Sequence, residues 1–346
     1  MKEFAGAGLR PRVAAASIVV LAAAILLTSG GVARVDAGGA TTSTLASGAT
    51  ATTGPDGVPG PTTTTSTTKP PATTTSTTKA PTTTTSNPPA ATTSTTKPPT
   101  PTTTPSPPGT PGRGNTGVPA GTVLTASGGF TVTTAGAIID AKNITGTVTI
   151  AAANVTIKRS RFTGTGQDYA IYVRSGSVRI EDSEISGNYS TAAIAFDNWT
   201  AVRLNVHNLP DDGFKLGSNT LLQDSWIHGF TPSPGAHADG VQMQNGVVNA
   251  SVIHNYIDIP GNAALFLAPD LGPSTRGPLT IKDNILGGGN YTIYVVDGNN
   301  GQYLVGNITV TGNRFLRNSR YGPTRVNVAT TWANNTWMDN GVRISP

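Results

Sequence analysis

The chain has 346 residues, no cysteine and a formal net charge of +5. That charge lies in the first third: residues 1–116 hold eight Lys/Arg against Glu3, Asp36 and Asp56, whereas residues 117–346 hold fifteen of each sign. A neutral folded part gives no basic field for nucleic acid, and its fold must hold without disulfides.

In chain order the first expected element is a targeting segment over 1–37. Lys2, Arg10 and Arg12 precede the apolar run VAAASIVVLAAAILL (13–27), and VDA (35–37) offers small residues to a signal peptidase. As a helix the run would rise only about 22 Å, short of the roughly 30 Å bilayer core. A signal peptide is the first reading and an uncleaved anchor the alternative, the only route to a membrane. From 38 to 116 a Thr/Ser/Pro unit close to TTTSTTKPPA recurs with Lys69, Lys79 and Lys97. It has almost nothing to bury and predicts a disordered linker. Together these segments place the globular part outside the cell or on its surface.

Residues 117–346 repeat. The segments NVTIKRSRF (154), SVRIEDSEI (177), AVRLNVHNL (201), NTLLQDSWI (219), NASVIHNYI (249), PLTIKDNIL (278) and NITVTGNRF (307) share apolar fourth and last positions. Two residues before the last stands a small or polar column: Ser160, Ser183, His207, Ser225, Asn255, Asn284 and Asn313. A second strand family alternates with these segments: YAIYV (169), AAIAF (192), DGFKL (212), DGVQM (239), AALFL (263) and YTIYV (291). Period-two alternation predicts strands with one face buried, and stacked repeats bury what a single repeat cannot.

The VxIxxNxI segments and the Asn255, Asn284, Asn313 column resemble the right-handed parallel β-helix domains of the pectate-lyase-like superfamily. The resemblance covers about 120–346 and implies an all-β, single-chain solenoid, expected as a monomer. It does not single out an activity, since that superfamily holds lyases, hydrolases, epimerases and proteins without catalysis. Asn at a sharp turn tolerates left-handed backbone, and stacked amides can bond along a ladder. His207 is accordingly expected to be a turn residue. Asn284→Ala is expected to destabilise the fold, and Lys215→Ala, as an outward residue, to change stability by less than about 0.5 kcal/mol.

In the second family, 171, 194, 214, 241, 265 and 293 are expected to point inward, as are 173, 196, 216, 243, 267 and 295. Between them a small column (Ala170, Ala193, Gly213, Gly240, Ala264, Thr292) is expected to face outward and floor a groove. Beside it lie Tyr172, Lys215, Gln242, Phe266 and Tyr294, with Arg174 and Gln244 just past the strand ends. Rings there can face sugars, and the cations and amides can grip carboxylates or hydroxyls. These residues make an acidic polysaccharide the expected partner.

Asp212 and Asp239 open adjacent rungs with the same Asp-Gly step. The loop HGFTPSPGAHA (228–238) carries His228 and His237 toward Lys215. DDGFK also resembles the Asp-Asp of inverting polygalacturonase-type hydrolases, but the rest of that pattern is missing. Adjacent rungs lie about 4.8 Å apart, whereas an inverting pair needs roughly 6.5–9.5 Å. Carboxylates that close share a proton or a cation. The chemistry expected first is Ca²⁺-assisted β-elimination on a uronan, with Asp212 and Asp239 holding the ion and Lys215, His237 and Asp211 as candidate catalytic residues. A hydrolase or uronate epimerase on the same groove, or a non-catalytic carbohydrate-binding or adhesion protein, are the alternatives. Turn-capping is the structural alternative for both Asp-Gly carboxylates.

Overall fold

The computed structural model describes residues 109–346; the expected targeting segment and most of the expected linker lie outside these residues. The described part is almost entirely β: 26 strands and one 3₁₀ turn, Asn299–Gly301. All pairing between the strands is parallel, and each strand bonds to its counterpart one turn earlier and one turn later, which makes a β-solenoid.

Each turn visits three faces. The first is a ten-stranded sheet from Thr125–Ser127 to Thr336–Trp337. The second includes Asn188–Ala195, Asp212–Lys215, Asp239–Met243, Ala263–Leu267, Tyr291–Val295 and Gly322–Val326. The third includes Trp199–Val202, Thr220–Gln223, Ala250–Ile253, Leu279–Lys282 and Ile308–Thr311. Two long strands, Val148–Lys158 and Thr165–Glu181, run from the second face onto the third and join both into one 16-stranded sheet. The apolar positions of the repeat fill the interior: Ile157, Ile180, Leu222, Val252, Ile281 and Val310 are fully buried, as are Ile171, Ile194, Phe214, Val241, Leu265 and Ile293.

The Asn column forms the expected ladder. The main-chain N–H and Nδ2 of Asn255 both donate to Asn284 Oδ1, at 2.8 and 3.0 Å. Asn284 does the same to Asn313 (3.0 and 2.9 Å), and Asn313 to Asn335 (3.0 and 2.9 Å). Toward the N-terminus serine hydroxyls take over, with the N–H of Leu204 bonded to Ser225 Oγ at 3.0 Å and that of Ser160 to Ser183 Oγ at 3.1 Å. The left-handed backbone sits one residue earlier than expected, on Arg159, Asp182, Arg203, Asp224, His254 and Asp283. That corner alternates in charge, and two of its pairs close at 2.6 Å, Arg203–Asp182 and His254–Asp224.

Leu204 occupies the column position expected for His207. The repeat unit there is three residues out of step with AVRLNVHNL, because Arg203 makes the turn and Leu204 begins the next face. His207 instead lies on the first face, stacked on His228 at 5.4 Å and 3.4 Å from Glu184. At the start of the described chain, Gly117 donates its N–H to Arg203 O at 2.9 Å.

Candidate active site

The second face carries the predicted residues in one outward column. Its register places Lys215 opposite Gln242, Gln242 opposite Phe266, Phe266 opposite Tyr294 and Tyr294 opposite Arg325. Tyr172 stands further up, opposite Ala195. The small column does not floor a groove. Ala170, Ala193, Ala264 and Thr292 are fully buried, and a Cβ on Gly240 would lie 2.6 Å from Ile257 Cγ2. These positions are small because they pack inward at the corner between the first and second faces, where a larger side chain would meet the core.

Asp212 and Asp239 meet across adjacent rungs. Asp212 Oδ1 accepts the main-chain N–H of Asp239 at 2.7 Å, and Asp212 Oδ2 accepts from Lys215 Nζ. Lys215 also donates to Gln242 Oε1. Asp239 Oδ1 accepts from Asn262 Nδ2 at 2.9 Å, and its Oδ2 meets Gln242 Nε2 at 3.3 Å and His237 Nδ1 at 3.2 Å. Asp212, Asp239, Lys215 and Gln242 are all buried, whereas the His237 side chain is 56% exposed. The expectation that Lys215 is an ordinary outward side chain is therefore wrong. Its stem stands on the outer face, but its ammonium is enclosed by its partners.

Burial sets the electrostatics. It pushes the Asp212 carboxyl up to about 7, although Lys215 opposes the shift, and it raises Asp239 and the half-buried Asp211 as well. The bond to Asp239 raises His237 above the usual imidazole range. The carboxyls are thus raised from the acid range while the neighbouring imidazole is raised by its carboxylate partner, and clustered shifts of this kind mark candidate proton-transfer sites.

This donor set does not fit a Ca²⁺ between Asp212 and Asp239. All four carboxylate oxygens have partners within the cluster, while Ca²⁺ takes six to eight oxygens. Among the described residues no group of three or more His, Asp or Glu side chains is arranged to hold a metal ion. Capping accounts for only part of the arrangement. One Asp212 oxygen does bond a main-chain N–H, but the other holds Lys215.

Aromatic platforms flank the cluster on both sides. On one side Tyr172 stacks on Tyr169 at 5.5 Å, and Phe196 meets both edge-on at 5.7 and 6.0 Å. On the other, Phe266 lies 5.1 Å from His237 and 5.2 Å from Tyr294. Phe196, expected inward, is 37% exposed, and Trp199 fills the interior against Phe214. Lys215, Phe196, Gln244 and Leu271 line a pocket of about 300 Å³ beside the cluster. Arg174 is exposed but lies within the long strand Thr165–Glu181 and not past a strand end, because that strand continues from the second face onto the third.

His228 does not join this site. It lies on the first face, stacked 3.4 Å from Trp226 and bonded to Asn205 Oδ1 at 3.0 Å; burial lowers its pKa to about 4. Sequence reasoning missed Asn262, Tyr169 and the outward Phe196. The Gly-Asn pair that opens two successive rungs, Gly261-Asn262 and Gly289-Asn290, was the available signal for Asn262. Comparison with protein-family models, with curated proteins and with solved structures gives no match.

Proposed function

We propose that the chain is a polysaccharide-acting β-helix of the pectate-lyase-like kind that abstracts a proton from a uronate sugar on its second face. Right-handed winding is part of this reading, because parallel crossover connections take that hand in about 98% of cases. The observation that carries it is the exposed His237, held by the buried Asp239 next to the Lys215–Asp212 pair and between two aromatic platforms. An apolar ring wall with a few convergent polar groups suits a sugar, and charge on the centre suits a carboxylate.

In this reading the sugar lies over His237 beside the Lys215–Asp212 pair, and the nearby positive charge of Lys215 offsets the substrate carboxylate in place of a metal. Lys215 gives its protons to Asp212 and Gln242, so it serves as a donor and His237 as the base. The unprotonated ring nitrogen of His237 takes the C5 proton, the C5–H electrons form the C4–C5 double bond, and the C4–O bond breaks. Asp211, whose carboxyl burial keeps protonated to higher pH, gives its proton to the departing oxygen. The N-terminal reading belongs with this: a secreted or surface-tethered domain on a flexible stalk, acting as a monomer.

Incubation with polygalacturonate and alginate tests the proposal. The expected product is an unsaturated uronate end that absorbs in the ultraviolet, formed equally well with a chelator present. New reducing ends without ultraviolet absorbance would replace the lyase by a hydrolase. Solvent deuterium at C5 without cleavage would replace it by an epimerase. Binding without any product would leave a carbohydrate-binding surface.

A further inference from the structure

The neutrality of the folded part conceals a polarity along its axis. Residues 307–346 contain five arginines and one acidic residue, a net of +4, whereas residues 117–306 contain ten basic and fourteen acidic residues, a net of −4. Of the five, Arg317 pairs with Asp339 at 2.8 Å; no ion pair joins the other four to a described residue. All five are exposed.

Two of these guanidiniums lie on a continuous run of rings. Arg325 stands 5.8 Å over Tyr294, Tyr294 lies 5.4 Å from Tyr291, Tyr291 lies 5.8 Å from Tyr321, and Arg320 stands 4.9 Å over Tyr321. The run turns the corner from the second face toward the first. It ends at a pocket of about 560 Å³ lined by Arg320, the amides of Asn290 and Asn318, glycine backbone at Gly288 and Gly289, and the Asp258 carboxylate, which Asn318 engages. Asn318 is fixed in place: its Oδ1 accepts the Gly288 N–H at 2.8 Å and its Nδ2 donates to Asp258 at 2.8 Å. A guanidinium laid flat on a ring keeps its N–H edge free for a planar anion, and neighbouring amides serve hydroxyls.

We infer that the C-terminal rungs form a further, non-catalytic binding site for an anionic polysaccharide, centred on Arg320 and Arg325 and adjoining the His237 cluster through Tyr294 and Phe266. A saccharide fits better than other polyanions because three rings lie between the two cations and amides follow at the pocket, whereas a simple basic patch would offer charge alone. The site does not depend on the reaction proposed above.

The test uses the full chain and two probes with the same backbone, dextran sulfate and uncharged dextran, with a single-stranded oligonucleotide as a third polyanion. Dextran sulfate is expected to bind, dextran weakly or not at all, and the oligonucleotide more weakly than dextran sulfate. The double variant Arg320→Ala/Arg325→Ala should lose about tenfold or more in affinity. Its slope of log affinity against log salt should fall by roughly two, one for each cation removed. The control Arg276→Ala/Lys282→Ala removes the same charge from elsewhere on the surface and should bind as the parent chain does. Equal losses in both double variants, an unchanged Arg320/Arg325 variant, or equal affinity for the oligonucleotide would overturn the inference.

Discussion

Two sets of buried polar side chains run along this solenoid, and they differ in kind. Between the third and first faces, Asn255, Asn284, Asn313 and Asn335 repeat one neutral group that donates up the stack and accepts from below. On the second face, Asp212, Lys215 and Asp239 are ionisable groups buried together with the Gln242 amide, a set that no other rung of that face repeats. A buried amide with its bonds made costs little, whereas a buried carboxylate is expensive even when paired. A polar group that follows the repeat therefore serves the fold. One that breaks it needs another reason, and proton transfer supplies one.

The largest effect separating the two sets should be on activity. If the proposed uronan cleavage is correct, His237→Ala is expected to lower its rate by about 10²- to 10⁴-fold, as loss of a general base does. Its thermal unfolding should stay close to that of the parent chain, because the ring is mostly exposed. A matching loss of stability would make His237 a structural partner of Asp239.

Lys215→Ala comes next and acts on stability. It leaves the buried Asp212 without its cation, at a cost of about 3 kcal/mol near pH 8. Near pH 5 Asp212 can take a proton, and the cost should shrink. Denaturant melts at the two pH values check this, and a pH-independent loss would mean that Asp212 is not the group stranded.

Asn284→Ala should cost about 1–3 kcal/mol by stranding the buried groups it serves. Here the loss should be the same at pH 5 and pH 8, since nothing in the ladder titrates. Arg174→Ala should fall within about 0.5 kcal/mol of the parent chain at either pH, as an exposed substitution does.

The ladder was legible in the sequence because it repeats. Compared across rungs, the apolar fourth positions and the Ser/Asn column fix the strands, the turns and the burial of Asn284. The reading failed where one rung slipped: Leu204 imitates the apolar position, so His207 fell into a column it does not occupy. The small column misled for a related reason. A residue is small beside an open groove and small at a crowded corner, and alternation alone does not separate the two.

For the candidate site, the residues that cluster were legible and their state less so. Asp212, Asp239 and His237 follow from the doubled Asp-Gly step and the long loop before Asp239, Lys215 and Gln242 follow from the outward column, and the structure brings the five together. That the carboxylate oxygens would be fully engaged, leaving no room for the expected Ca²⁺, depends on side-chain direction. So does the exposure of Phe196. Neither can be read from spacing. The basic C-terminal rungs were hidden by summing charge over the whole domain rather than along its axis.

The contrast between the two ladders rests on Asp212 being a buried carboxyl that titrates near neutral pH. Stability should accordingly fall as pH rises from about 4 toward about 7, because the folded chain holds a proton there that the unfolded chain has released. The direct measurement is a carbon-13 NMR titration of the Asp212 carboxyl, assigned by its disappearance in Asp212→Asn. The expected midpoint is close to 7. A midpoint near 4 would make Asp212 an ordinary ion-pair partner of Lys215 and remove the distinction between the second face and the asparagine ladder.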